Sequence, residues 1–196
     1  KPDSVDFLEL FVLQRRHIHL QPSATVPGEL DLSVQGPWLH TILFEVPILA
    51  IVSEVWMRHN ATYDPEEGER RLRAKLAPLQ AAEYRQCTIS DFGTRRRFSR
   101  AWHERLIPLV KEMLGPQFVG TSNIDLARRY NVTPHGTMAH EWLQAHQALG
   151  PRLRDSQKAA FQAWAQEYRG DLGIALSYVV GIDAFLTAFD LYFCKL

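Results

Sequence analysis

Residues 84–97 read YRQCTISDFGTRRR. A β-prone run passes into a polar loop, where Gly93 permits a tight turn, and then into a segment with helical spacing from Phe98 to Leu114. The layout recurs downstream. QFVG (117–120) is followed by TSN and a helical pattern over Ile124–Tyr130, and NVT (131–133) by PHGTMAH and a helix over Ala139–Leu149. GIALSYVVG (173–181) is followed by Ile182, Asp183 and a helix over Ala184–Phe193, with another helix over Asp155–Tyr168 before it. Repeated strand, loop and helix units specify an α/β fold with a parallel sheet, open or closed into a barrel. In such folds the loops after the strands carry the chemistry.

Toward the N-terminus the pattern differs. ELDLSV (29–34) alternates as a strand and closes at Gly36-Pro37. Trp38 to about His59 is helical, with Pro47 expected to start a second helix or kink one long one. Residues 65–82 form a charged helix interrupted at Gly68 and Pro78. The expected organisation is a strand and helical region over 1–83 and an incomplete α/β-barrel region over 84–196.

The chain has 196 residues, 46% hydrophobic and 22% charged, a globular composition. Lys+Arg 22 balances Asp+Glu 22, so no global field recruits nucleic acid or an anionic membrane, and any anion site is local. Cys87 and Cys194 are too far apart in sequence for a C-x-x-C pair and are expected to be reduced, buried and intracellular. The apolar region 38–56 contains His40, Glu45, Pro47 and Glu54, which makes it a poor membrane span. No signal-peptide pattern is read, and the expected location is cytoplasmic. The chain starts without Met and stops at FDLYFCKL within an amphipathic pattern, as a piece of a longer protein would.

Four constellations carry candidate chemistry. In DFGTRRRFS, Arg95, Arg96 and Arg97 suit bidentate binding of a carboxylate or phosphate. Cations at a helix start oppose its dipole, which favours a bound anion over a plain solvated face. Phe92 is either core or a face for an aromatic ligand. In FVGTSNIDLARR, the turn Gly120, Thr121, Ser122 and Asn123 offers backbone N–H groups and hydroxyls to an anion, or is a simple N-cap. In TPHGTMAHEWLQAH (133–146), Thr137 is the expected N-cap and His140 falls in the first turn, a setting for a neutral imidazole nucleophile or for a hydrogen-bonded structural histidine. His140 and His146 are six apart, so they do not share a helix face as a zinc protease pair would. Asp183, after Gly181, contacts a metal or ribose hydroxyl, or caps the next helix. No residue is assigned as a metal ligand.

The stretches GPWLHTILFEVPILAIVSEVW, DFGTRRRFSR, FVGTSNIDLARRYNVTPHGTMAHEWLQAHQ and GDLGIALSYVVGIDAFLTAFDLYF together resemble the middle part of a bacterial-type nicotinate phosphoribosyltransferase. The resemblance implies part of an irregular, TIM-like α/β barrel of the type II phosphoribosyltransferase kind, with a mostly helical N-terminal region. It also implies a reaction: nicotinate and phosphoribosyl pyrophosphate give nicotinate mononucleotide and pyrophosphate in NAD synthesis, coupled to ATP hydrolysis. By the same resemblance His140 is the phosphorylated histidine, Phe92 stacks on the pyridine ring and Arg95 lies at the base pocket. Gly93, Thr94, Arg96, Thr121 and Ser122 line the substrate site, with Arg97 as a helper, and Asp183 lines the ribose and pyrophosphate region. Ser122 stands where nicotinamide-using relatives carry aspartate. A serine hydroxyl can donate to a carboxylate that an aspartate would repel, which favours nicotinate. ATP and Mg2+ are the implied co-substrate and activating ion, with no tightly bound cofactor, and the implied assembly is a homodimer with a shared active site. The alternatives are a non-catalytic fragment that binds nicotinate or a partner chain, and a nicotinamide-preferring relative. A nucleic-acid module built on TRRRFSR is disfavoured by the neutral charge.

Overall fold

The computed structural model describes residues 2–149, 152–169 and 174–195. They pack as two units, Lys1–Val132 and Thr133–Leu196.

In the first unit, α1 (Pro2–Leu10) precedes an antiparallel hairpin of β1 (Ile18–Pro22) and β2 (Leu30–Val34), paired from Ile18↔Val34 to Pro22↔Leu30. The strand expected from ELDLSV is β2, whereas β1 was not legible. The buried His17 ring hydrogen-bonds through Nδ1 to the Gln35 carbonyl at 2.8 Å and lies where a Cβ on Gly36 would fall, 2.5 Å from Nδ1. Only glycine fits that approach.

Helix α2 (Trp38–Thr41) runs through a 3-10 turn at Ile42–Phe44 into α3 (Glu45–Asn60). Pro47 falls in the first turn of α3, where its missing N–H has no intrahelical role, so it opens this helix without a kink. By length and apolarity alone, Trp38–Asn60 is sufficient to cross a membrane. Its polar positions nevertheless bond within the unit: Ser53 Oγ donates to the Arg97 carbonyl at 3.0 Å, and Glu54 accepts the Arg100 N–H at 2.9 Å.

Helix α4 (Pro65–Leu76) is capped by Asp64, whose carboxylate accepts the N–H groups of Glu66 and Glu67 at 3.0 and 3.1 Å. Gly68 does not interrupt it; a Cβ there would lie 2.9 Å from the Trp102 ring. The helix ends at Leu76, and Pro78 sits in the 3-10 turn that follows.

β3 (Ile89–Asp91) leads through a 3-10 turn at Thr94–Arg96 to α5 (Arg100–Leu114), and β4 (Phe118–Thr121) leads to α6 (Ile124–Tyr130). β3 and β4 pair in parallel, Asp91 opposite Thr121, with an irregularity between Ile89 and Ser90. Ser99 caps α5 by accepting the Trp102 N–H at 3.0 Å, so the helix begins two residues after the expected start. Its buried face, His103, Ile107, Val110 and Leu114, follows helical spacing. The three apolar residues join Leu76, Phe118 and Leu126 in one core. Each such aliphatic side chain contributes roughly 1.5–3 kcal/mol, whereas ion pairs on the surface such as Arg70–Glu67 are screened by water and add little. Apolar packing therefore holds α4 to α5, and the 83/84 boundary read from sequence falls inside this shared core.

The second unit contains α7 (His140–Ala145), α8 (Ser156–Tyr168), α9 (Ile182–Ala188) and α10 (Leu191–Cys194). Met138, Leu143, Ala160, Phe161, Phe185 and Phe193 form its core, and Trp142 Nε1 donates to the Ala160 carbonyl at 3.1 Å.

Two expected strands are absent among the described residues. At NVT only Pro134, just beyond it, forms an isolated bridge, and a proline there has no N–H for a ladder. Residues 174–181 bend irregularly, with Ile174, Tyr178 and Val180 exposed; Gly173, the first residue of that expected strand, lies outside the described residues. The helix expected to reach Leu149 ends at Ala145, and that expected over 184–193 divides where Asp190 caps α10 by accepting the Tyr192 N–H at 3.0 Å. Both cysteines are free but exposed, contrary to the expected burial.

Candidate active site

Asp91 closes β3, and its half-buried carboxylate organises the loops that follow β3 and β4. Oδ1 accepts the Gly93 N–H at 2.9 Å, and Oδ2 accepts the Thr121 hydroxyl at 2.6 Å and lies 2.7 Å from His103 Nε2. Burial pushes this carboxyl up, but the hydrogen bonds from His103 and Thr121 outweigh it and hold the group below the usual carboxylate range. An ionised carboxylate only accepts, so His103 Nε2 carries the hydrogen. The Ser122 N–H donates to the Asp91 carbonyl at 2.8 Å, and the Asn123 N–H to Thr121 Oγ1 at 3.1 Å. Asn123 caps α6 through the Leu126 N–H at 3.1 Å, as one sequence alternative had it, and its Nδ2 donates to Thr94 Oγ1 at 3.3 Å. Gly93 has φ −80°, which any residue adopts; the close approach is what excludes a side chain, since a Cβ would lie 2.9 Å from Asp91 Oδ1.

This network corrects the picture of a turn with free donors. The N–H groups of Ser122 and Asn123 are already bonded, and Thr121, 0% exposed, commits its hydroxyl to Asp91. The half-buried Ser122 hydroxyl remains without a partner among the described residues. Phe92, directly after β3, is 46% exposed, so its ring is not part of the core. The arginines do not open α5: Arg95 and Arg96 occupy the 3-10 turn ahead of the Ser99 cap, so the expected conflict with that helix dipole does not arise. Arg95 pairs with Glu45, and Arg97 Nε is buried without a partner among the described residues. Arg96 is exposed and unpaired among them, the guanidinium most available to an anion.

Sequence reasoning missed Asp91 and His103. The available signal was a histidine on the otherwise apolar face of α5.

In the second unit, His140 is the first residue of α7, preceded by Ala139 in extended conformation, so Thr137 is not the cap. The segment before it is held by the buried Met138, whose N–H donates to the Ile174 carbonyl at 3.4 Å. The His140 ring meets Tyr178 edge-on, centroids 5.0 Å apart, a neighbour not singled out from sequence. His146 stands at the other end of α7, where its Nδ1 bonds the Trp142 carbonyl at 2.8 Å. Asp183 is exposed in the first turn of α9, after Gly181 at φ 93°; it neither ends a strand nor caps the helix by its side chain.

Residues 87–196 match the model of the nicotinate phosphoribosyltransferase (NAPRTase) family, and residues 1–53 match that of its N-terminal domain. The chain is 64% identical over 196 residues to a nicotinate phosphoribosyltransferase of Xanthomonas euvesicatoria, covering all of this chain and 50% of that protein. One from Xylella fastidiosa is 61% identical over 197 residues with the same coverage. The crystal structure of nicotinate phosphoribosyltransferase from Porphyromonas gingivalis superposes with a TM-score of 0.90 at 33% identity, over all of this chain and 49% of that one. The fold is accordingly the type II phosphoribosyltransferase fold of these structures, and the chain spans about half the length of the curated relatives it matches. With residues 87–196 matched, more than half of its length, the chain belongs to the nicotinate phosphoribosyltransferase family.

Proposed function

We propose that this chain is part of an ATP-coupled nicotinate phosphoribosyltransferase, in which β3 and β4 belong to an irregular α/β barrel joined to a mostly helical N-terminal region. The observation that carries the reading is the end of the β3–β4 pair. Phe92 and Ser122, which directly follow the paired residues Asp91 and Thr121, are an exposed aromatic ring and an unengaged hydroxyl, with the unpaired Arg96 in the adjoining turn. Such a set suits a flat pyridine ring bearing a carboxylate. Phe92 stacks on the ring, Ser122 donates to the carboxylate, and Arg95 and Arg96 supply positive charge. Gly93, Thr94 and Thr121 hold these groups in place rather than touching the ligand.

The pyridine nitrogen then forms a bond to ribose C1 as the bond from C1 to pyrophosphate breaks. The electron pair leaves with pyrophosphate, and the work of the protein is to position reactants and neutralise the leaving group. Magnesium would be carried by the phosphate-rich substrates and would ask for at most one or two carboxylates from the protein. The exposed Asp183 is the candidate for the ribose and pyrophosphate region. His140 attacks the γ-phosphate of ATP, forming an N–P bond while ADP departs, and water later hydrolyses the phosphohistidine. Its half-buried ring, set edge-on to Tyr178, is held in a limited range of orientations. The enzyme acts as a cytoplasmic homodimer with a shared site.

The test is release of pyrophosphate from phosphoribosyl pyrophosphate with magnesium, with and without nicotinate and ATP. Nicotinate-dependent release that ATP stimulates is the expected result. Nicotinate binding with no release in the longest natural chain would select the non-catalytic alternative.

A further inference from the structure

His103 is buried and Asp91 half-buried where the loops of the proposed base site begin, the His103 and Asp91 side chains being 2% and 12% exposed. Their hydrogen bonds nevertheless converge on both of its loops. A buried carboxylate is costly unless its lone pairs are satisfied, and a purely structural position is filled as well or better by apolar side chains. Here each oxygen has a distinct task. Oδ1 holds the Gly93 N–H, which fixes the turn directly after Phe92, while Oδ2 holds Thr121, whose oxygen accepts the Asn123 N–H beyond Ser122. His103 reaches Oδ2 from α5, next to Ile107, Val110 and Leu114, which anchor that helix in the core. Among the described residues the only hydrogen bond of the His103 ring is the one from Nε2 to Asp91, which sets the orientation of the imidazole.

We propose that Asp91 and His103 are positioning residues that lock the loop bearing Phe92 and the loop bearing Ser122 into one register relative to α5. Core packing fixes α5, His103 fixes the rotation of the Asp91 carboxylate, and the carboxylate fixes both loops. Neither residue touches substrate. The inference rests on the reading of these loops as the nicotinate pocket, because the spacing between a stacking ring and a carboxylate donor sets affinity and attack geometry together.

The experiment uses the longest natural chain carrying these residues, with the variants His103→Leu, His103→Gln and Asp91→Asn. Amide hydrogen exchange at Gly93, Ser122 and Asn123 is measured without ligand, and KM and kcat for nicotinate are measured beside the melting temperature. In His103→Leu and Asp91→Asn, exchange at these amides is expected to accelerate by about tenfold or more, and kcat/KM for nicotinate to fall by on the order of tenfold to a hundredfold. The glutamine of His103→Gln, whose side-chain N–H can reach the carboxylate, is expected to restore most of both. Unchanged exchange in His103→Leu overturns the proposal whatever the activity. So does a glutamine variant no better than the leucine variant when both melt alike. Should the unaltered protein bind no nicotinate, the functional reading fails by itself, and the exchange measurement still decides whether the pair locks the loops.

Discussion

Replacing Thr121 by valine keeps the shape of a side chain that is 0% exposed and removes only its oxygen. Two hydrogen bonds go with it. The 2.6 Å bond donated to the ionised Asp91 is charge-assisted, worth roughly 1.5–3 kcal/mol. The Asn123 N–H, which reaches the same oxygen at 3.1 Å, loses its acceptor at a further cost of about 1 kcal/mol. Together they give about 3 kcal/mol of destabilisation, several times the ±0.5 kcal/mol or so of an ordinary surface change. Urea denaturation of Thr121→Val, followed by tryptophan fluorescence, is expected to show the midpoint lowered by about 1–2 M. The pH dependence is a second check. Because the folded Asp91 carboxyl lies below its ordinary value, its contribution is fully present above the unfolded pKa of about 3.9 and is lost as pH falls through the folded pKa. Valine removes one of the donors that hold the carboxyl down, so the folded pKa rises toward the unfolded one and this contribution shrinks. The gap between the two proteins should be widest above about pH 4 and narrow below it. A stability change under ~0.5 kcal/mol, or a gap that stays constant into acid, would refute the account of this network.

Three further outcomes are expected. Ser122→Asp sets a carboxylate against that of nicotinate, and kcat/KM for nicotinate should fall on the order of 100-fold while that for nicotinamide changes far less; equal loss for both bases would remove Ser122 from the pocket. His140→Asn should abolish incorporation of label from γ-labelled ATP into the protein and leave only the ATP-independent pyrophosphate release, whereas undiminished labelling would place the phosphoryl group elsewhere. Gly93→Ala has no backbone penalty at φ −80° but drives a Cβ to within 2.9 Å of Asp91 Oδ1, so it should cost about 1–3 kcal/mol in denaturation and weaken nicotinate binding; a variant as stable as the parent would show that the loop yields without consequence.

The elements legible in the sequence are those whose cause is local. α6 spans the predicted Ile124–Tyr130 because Asn123 stops the strand and caps the helix within three residues. The apolar face of α5 follows from helical spacing alone, and β4 from the short β-prone run ahead of Ser122-Asn123, whereas of YRQCTIS only Ile89 and Ser90 join β3. The family resemblance was legible for the same reason, since DFGTRRRFSR and the motif around His140 are contiguous. What depended on distant partners was not legible. GIALSYVVG has the apolarity of a buried strand, but a strand also needs a hydrogen-bonded neighbour, and apolarity does not say whether one lies alongside; its described residues bend. Three adjacent arginines look equivalent until Glu45, fifty positions earlier, engages one of them and burial turns another inward. Thr121 reads as a free donor until Asp91, thirty residues away, takes its hydroxyl. Sequence thus determined which residue types stand at the strand ends. Only tertiary structure decided which of them keep a hydrogen-bonding group for a ligand, because each buried donor or acceptor bonds whatever partner the packing brings within 3 Å or so.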